Sequence, residues 1–399
     1  MSILSESLSR IKPSPTMAVV KKATELKSAG KDIISLGAGE PDFDTPENIK
    51  QAAIQAIKDG RTKYTVVDGT IELKRAVIGK FKRENNLIYN EKQVSVGVGG
   101  KHVIFNAILA TINPGDEVLI PAPYWVSYPD IVLLAGGTPV IVECEESADF
   151  KILPEQIEKN VTKNTKWIIL NSPSNPTGSV YSEQELKAIG GVLKKFPNVY
   201  IMSDDIYEHV LYTKNNFFTI AQIPELFSRT LTINGLSKSY AMTGWRVGYA
   251  GGPENIIQGI AKIQSQSTTN TSSISQAAAE EALNGTQNFI KIRSDAFKER
   301  RDFVVKKLNS IKGLSCKNPE GAFYVFPSCK DCIGKKDVNK KEIINDTDFV
   351  TSLLENTGVA VVQGSAFGKE GYFRISYATS LKNLSKALDK IEEYCKQLS

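Results

Sequence analysis

Several apolar runs of this chain stop abruptly at residues able to do chemistry. Trp167–Leu170 runs into Asn171 through Gly178, N-S-P-S-N-P-T-G, with Asn175 at its centre. Val199–Met202 runs into Ser203, Asp204, Asp205, Ile206 and Tyr207. Thr230–Ile233 is followed by N-G-L-S-K-S, which holds Ser237 and Lys238, and Thr243 through Arg246 then leads into Val247–Tyr249. Further upstream, Val94–Val98 ends in Gly99, Gly100 and Lys101. A lysine amine attacks carbonyls once it is neutral. Glycines that open a helix straight after a strand expose backbone N–H groups to an anion, and Arg246 could add a fixed charge. Taken one at a time, each fragment has an ordinary explanation: N-P-T-G is a good turn, and Asp204 is a good helix N-cap. Their succession on consecutive strand ends asks for a common one.

The elements that must position these residues alternate. Apolar runs at Glu117–Ile120, Pro139–Val142, Trp167–Leu170, Val199–Met202, Thr230–Ile233 and Val247–Ala250 read as strands. Helical patterns lie between several of them, among them Glu47 to Lys58, about Lys101 to Thr111, and Ser182 to Lys195. In the first, Ile49, Ala53, Ile54 and Ile57 carry the helical spacing. Near-continuous apolar strands separated by helices predict a mostly parallel sheet covered on both faces, the α/β class. Ligands of such sheets gather beyond the C-terminal strand ends, where the residues above fall. After about residue 285 the pattern changes: a long charged helix, Phe289 to Leu308, then strands at Ala322–Phe326, Val359–Val362 and Phe373–Tyr377, with helices near Phe349–Glu355 and at the C-terminus. The expected division is an N-terminal arm shared with the small domain (1–45), a large domain (46–287) and a small α+β domain (288–399).

A chain of 399 residues has room for both domains, and its net charge of +5 is spread without like-charge blocks, so nothing favours nucleic acid. The first fifteen residues are polar and do not resemble a signal peptide. Five cysteines, an odd and low number, fit a reduced compartment and a cytoplasmic protein. Cys329 and Cys332 form a C-x-x-C pair, but no second pair and only two histidines are present to complete a zinc site.

The ordered set resembles the class I aminotransferases. S-K-x-x-x-M-T-G-W-R-x-G-Y around Lys238 carries the likeness, with N-P-T-G and D-x-I-Y upstream. So do Gly37 through Phe43, Lys63 through Thr65, Pro123 through Tyr128, and Phe373 through Tyr377. Within the family the sequence is closest to the bacterial aspartate aminotransferases, some of which also act on prephenate. The resemblance implies the fold type I of pyridoxal-5′-phosphate (PLP) enzymes and a homodimer with shared active sites. It also implies transfer of the amino group of L-aspartate to 2-oxoglutarate.

Roles follow by position. Lys238 resembles the lysine that holds the cofactor aldehyde and moves the substrate proton. Asp204 matches the carboxylate that keeps the ring nitrogen protonated. At ~4 Å and an effective dielectric of about 20 such a pair is worth roughly 4 kcal/mol, enough to raise the ring pKa by about three units. Asp205 is expected to lie behind it or at the surface. Asn175 and Tyr207 resemble the partners of the ring's phenolic oxygen, and Trp125 the aromatic that stacks on its face. Gly99, Gly100, Lys101, Ser237 and Arg246 match the phosphate site, although Gly235 stands where some relatives have a serine. Arg374 matches the arginine that takes the substrate α-carboxylate, and Gly39 the loop that closes over it. Tyr64 resembles the tyrosine that reaches the partner subunit's phosphate. Lys12 matches a position linked with prephenate use.

Gln264 to Ser275, where one branch of the family presents a partner-subunit arginine to the substrate side chain, contains neither Arg nor Lys. An aromatic or broader substrate range therefore stays open, as does a lyase on the same fold. A PLP-binding transcriptional regulator would need a DNA-binding domain before Gly37. A nicotinamide enzyme would need G-x-G-x-x-G, which Gly97, Gly99 and Gly100 do not form. His102, Thr271 and Gln363 depart from residues common in the branch.

Overall fold

The computed structural model describes residues 3–13, 15–214 and 216–399, side chains at 15–18 and 20 excepted. Its strands are β1 (Ile34–Ser35), β2 (Val94–Gly97), β3 (Glu117–Ala122), β4 (Thr138–Glu143), β5 (Thr165–Asn171), β6 (Tyr200–Asp204), β7 (Thr230–Gly235), β8 (Gly248–Gly251), β9 (Tyr324–Val325), β10 (Val359–Ala360), β11 (Val362–Gln363) and β12 (Phe373–Ser376). Seven of them form one sheet in the order β2-β8-β7-β6-β5-β3-β4. The pairs from β7 to β4 are parallel, and β8 runs against both its neighbours. Every residue of β6 after Tyr200, and all of β7, is buried, as expected of strands covered on both faces.

Two apolar layers enclose this sheet. Val103, Ile104, Ala107 and Ile108 of the helix Gly100–Thr111 pack with Val118, Ile120, Ile233 and Ile257 on one face. Leu186, Ile189 and Leu193 of the helix Glu183–Leu193 pack with Leu119, Ile168 and Ile201 on the other. Each fully buried Leu or Ile contributes roughly 2 kcal/mol. The helix Glu183–Leu193 begins with a capping box, in which Ser182 accepts from Glu185 N and Glu185 accepts from Ser182 N.

The remaining strands make two small sheets, β11-β12-β9 and the parallel pair β1-β10. Ile34 and Leu36 share a core with Phe323, Phe349, Phe373 and Leu388, so the N-terminal segment packs with the C-terminal hundred residues. The helix Leu381–Lys396 buries Leu384, Leu388, Ile391 and Cys395 along one stripe. Cys329 and Cys332 are buried in the same core with free thiols.

Three expectations change. Val359–Val362 is not one strand: Val359–Ala360 pairs with β1, and Val362–Gln363 turns to β12. Ala322–Phe326 shortens to Tyr324–Val325, because Ala322 adopts φ 55°. In the helix Glu47–Lys58 the buried stripe is Ile49, Ala53 and Ala56, whereas Ile54 and Ile57 face outward.

Candidate active site

Beyond the C-terminal ends of β5, β6 and β7 lies a cleft of about 490 Å³. Gly39, Gly100, Lys101, Trp125, Asn175, Asp204, Tyr207, Ser237, Lys238, Arg246 and Arg374 all line it, so residues spread over more than three hundred positions converge on one volume.

At the floor stands Asp204, the last residue of β6. Its Oδ2 accepts from Tyr128 Oη at 2.6 Å, and Oδ1 takes a longer contact, 3.4 Å, from the Ile206 amide. Burial pushes its carboxyl above the usual range, against the pull of the Tyr128 hydroxyl. Asp205 turns the other way, as successive strand-end residues do. It is buried, not at the surface. Ser203 Oγ donates to its Oδ1 at 2.7 Å, and burial raises its pKa to about 7.

Lys238 leaves the turn after β7, and its Nζ donates to the Gly39 carbonyl. Desolvation brings the amine down to about 8, and the positive charges of Arg374 and Arg246 act in the same direction while Glu40 and Asp204 oppose them. Tyr207 Oη pairs with Tyr324 Oη at 2.8 Å.

The Asn175 turn is braced by Asn171: Asn171 Oδ1 accepts from Asn175 N at 2.8 Å, and its Nδ2 donates to Asp204 O at 2.8 Å. Asn175 Oδ1 in turn accepts from Arg374 Nη1 at 2.8 Å. Arg374 Nη2 donates to Gly37 O at 2.6 Å, its guanidinium stacks 4.6 Å from the Tyr324 ring centroid, and its buried Nε has no partner among the described residues.

At the opposite end Gly99, at φ 86°, precedes the helix Gly100–Thr111. A Cβ on Gly99 would sit 2.4 Å from Arg246 Nη2, and one on Gly248 of β8 would sit 2.2 Å from Gly100 N. Both glycines are needed to let the turn, the strand and Arg246 meet. Arg246 Nη1 donates to Thr243 O at 2.8 Å. His102 completes the turn, its Nδ1 accepting from Val98 N at 3.2 Å. Lys101 Nζ lies 4.9 Å from the Trp125 ring centroid and makes no hydrogen bond or ion pair with the described residues.

Tyr64 and Lys12 do not line this cleft: both are exposed, Tyr64 at 89%. In the Gln264–Ser275 stretch Gln264 is buried, its Nε2 donating to Val67 O and Val96 O, whereas Gln266 through Thr269 are exposed. The sequence reading assigned no role to Tyr128, Tyr324 or Asn171. Tyr128 and Asn171 sat inside motifs already noted, and Tyr324 gave no local signal.

A parallel sheet with a lysine, a buried carboxylate, an arginine fork and a glycine anion turn at its strand ends defines a class of lysine-dependent α/β enzyme. Residues 31–391 match the family described as aminotransferase class I and II, and the chain belongs to that family. It is 58% identical over 400 residues to the aspartate/prephenate aminotransferase of Cereibacter sphaeroides, with both chains covered in full. Among solved structures it superposes on the aspartate aminotransferase of Rhizobium meliloti with a TM-score of 0.97, at 50% identity and full coverage of both chains. The Thermus thermophilus aspartate aminotransferase with maleate gives a TM-score of 0.93 at 41% identity, covering 99% of this chain and 100% of that one. The fold is therefore fold type I, as the sequence implied. No helix among the described residues is long and apolar enough to cross a membrane.

Proposed function

We propose that the protein is a PLP-dependent aminotransferase that moves the amino group of L-aspartate to 2-oxoglutarate, giving oxaloacetate and L-glutamate, and that also uses prephenate. The observation that carries this is the meeting of Lys238, Asp204 and Arg374 in one cleft, in a chain so close to relatives of that description.

Three features support the cofactor. Asp204 is a buried carboxylate whose one side-chain donor among the described residues is the Tyr128 hydroxyl, which suits a protonated ring nitrogen. The Gly99 turn and Arg246 form an anion cradle that a single Cβ would fill. Lys238 has an amine near neutrality at the right depth. Bound PLP supplies an electron sink for the carbanion formed at the substrate Cα.

The chain's own residues do the rest. Lys238 would hold the cofactor's aldehyde and, once free, its neutral amine would serve as the base for the substrate Cα proton. Asp204 would keep the ring nitrogen protonated, Asn175 and Tyr207 would donate to the phenolic oxygen, and Trp125 would stack on the ring. The Gly100 and Lys101 backbone amides and the Ser237 hydroxyl would offer donors beside Arg246 at the phosphate. Arg374, with one donor unspent, takes the α-carboxylate, and Gly39 closes above it. Lys101 Nζ, the cleft-lining cation without a hydrogen-bonded partner among the described residues, would meet a second carboxylate, a reading supported by the Thermus thermophilus structure with maleate, a dicarboxylate.

The same reading makes the protein a cytoplasmic homodimer, with Tyr64 reaching the partner's phosphate and Lys12 serving prephenate. It divides the chain at 1–45, 46–287 and 288–399, supported by the β1-β10 pairing. The test is the visible spectrum of the purified protein. A yellow band bleached by aspartate and restored by 2-oxoglutarate is expected. Response only to another amino acid would displace aspartate, and a colourless protein that takes up no PLP would end the reading.

A further inference from the structure

Next in the chain to the cleft-lining Tyr207 lies a buried polar network that the chemistry above does not use. Lys80 Nζ, fully buried on the helix Ile71–Asn85, pairs with Glu208 and donates to Asn85 Oδ1 at 2.8 Å. Both Glu208 oxygens are engaged: Oε2 accepts from Asn85 Nδ2 at 2.7 Å, and Oε1 accepts from Asn234 Nδ2 at 2.8 Å as well as from Lys80, with Glu84 3.6 Å from Lys80 Nζ and His209 Nε2 3.7 Å from Oε1. Asn234 passes the connection on, because its Oδ1 accepts from the Gly235 amide at 2.7 Å.

Position gives this network its meaning. Glu208 directly follows Tyr207, and Asn234 and Gly235 are the last residues of β7, just ahead of the turn that carries Ser237 and Lys238. One carboxylate thus ties the turn after β6 to the end of β7, from which the Lys238 turn springs, and fixes both to a helix. A buried ion pair is seldom more stabilising than an apolar pair of the same volume, so stability alone does not account for it. What it adds is a single arrangement: donors and acceptors so fully paired leave no equivalent register for either turn.

We propose that Glu208, through Asn234, is a positioning residue that sets Lys238 relative to Tyr207. It touches neither substrate nor cofactor. The inference rests on the PLP reading above and concerns how the known lysine is held.

Asn234→Leu tests it while leaving the Lys80–Glu208 pair intact. In the PLP-loaded enzyme, the pH midpoint of the cofactor's visible band is expected to shift by roughly half a unit or more, because the band senses how Lys238 and Tyr207 face the cofactor. With aspartate, kcat should fall at least about tenfold while KM stays within about threefold, the split expected when substrate binding is spared. A folded variant with the wild-type midpoint and kcat overturns the proposal. Should leucine at 234 prevent folding, Glu208→Gln reads the same link: a neutral amide grips Lys80 and Asn85 less firmly, and the midpoint is again expected to move. An unmoved midpoint there overturns the proposal too. A wild-type protein with no visible band would instead remove the PLP reading itself, which is a distinguishable failure.

Discussion

An exposed lysine amine is almost wholly protonated at neutral pH and attacks carbonyls slowly. Lys238, brought to about 8 first by desolvation and then by the Arg374 charge, has roughly a tenth of its amine neutral at pH 7. The sign is set by the nucleophile: only the neutral amine captures the aldehyde. The rate of PLP uptake by the cofactor-free protein should therefore rise with pH, pass its midpoint near 8 and level off above it. A rate still climbing through pH 10 would mark an ordinary lysine. On the proposed reading, Arg374 and Lys101 would serve two separate halves of substrate recognition. Arg374→Lys removes a fork of donors and should cost about 2 kcal/mol of carboxylate binding, raising KM about thirtyfold for every amino donor alike. Lys101→Ala should spare monocarboxylic donors and raise KM for aspartate by about tenfold or more. If it weakens aspartate and phenylalanine equally, Lys101 does not read the side chain. The line between legible and illegible residues is physical. Asp204 and Lys238 stand at strand ends inside motifs, whereas Tyr324 reaches Tyr207 from 117 positions away, a contact only the fold creates.

At the scale of elements, the phosphate turn depends on backbone closeness. Gly99 combines φ 86° with the Arg246 guanidinium pressed against the place a Cβ would take. Gly99→Ala should lower PLP affinity by tenfold or more in a cofactor titration, since it both strains the turn by roughly 1–2 kcal/mol and displaces Arg246. Unchanged affinity would mean that the phosphate sits elsewhere. The strands of the large sheet were readable because a parallel sheet buried on both faces writes itself as short apolar runs. The helix Ile71–Asn85 was not, because it buries Lys74 and Lys80 among Leu73, Val77 and Phe81 and so breaks the apolar stripe. Its lysines are inside because Asp68 and Glu208 meet them, a pairing invisible to periodicity. Val359–Val362 misled for the opposite reason: an unbroken apolar run gives no sign that its two halves pair with different strands.

For the whole molecule, the single chain leaves work unfinished. Tyr64 is 89% exposed and Val66 66% exposed, with Ile54 and Ile57 also facing outward on the preceding helix. Large apolar side chains gathered on one stretch of chain and left in water commonly mark an interface, and a two-fold dimer is the commonest way to cover one. In that assembly Tyr64 would supply a hydroxyl to the partner's phosphate, so each site would be complete only in the pair. Two consequences differ from those of a self-sufficient monomer. Tyr64→Phe should loosen PLP by about 1 kcal/mol, roughly fivefold, the net worth of one hydrogen bond, while leaving KM for aspartate near its wild-type value. Dilution should then couple assembly to cofactor: below the dimer dissociation constant, sedimentation velocity should show the chain mass appearing as the visible band fades, both following one concentration midpoint. A protein that sediments as a monomer at every concentration yet keeps its PLP would leave Tyr64 with no partner to serve.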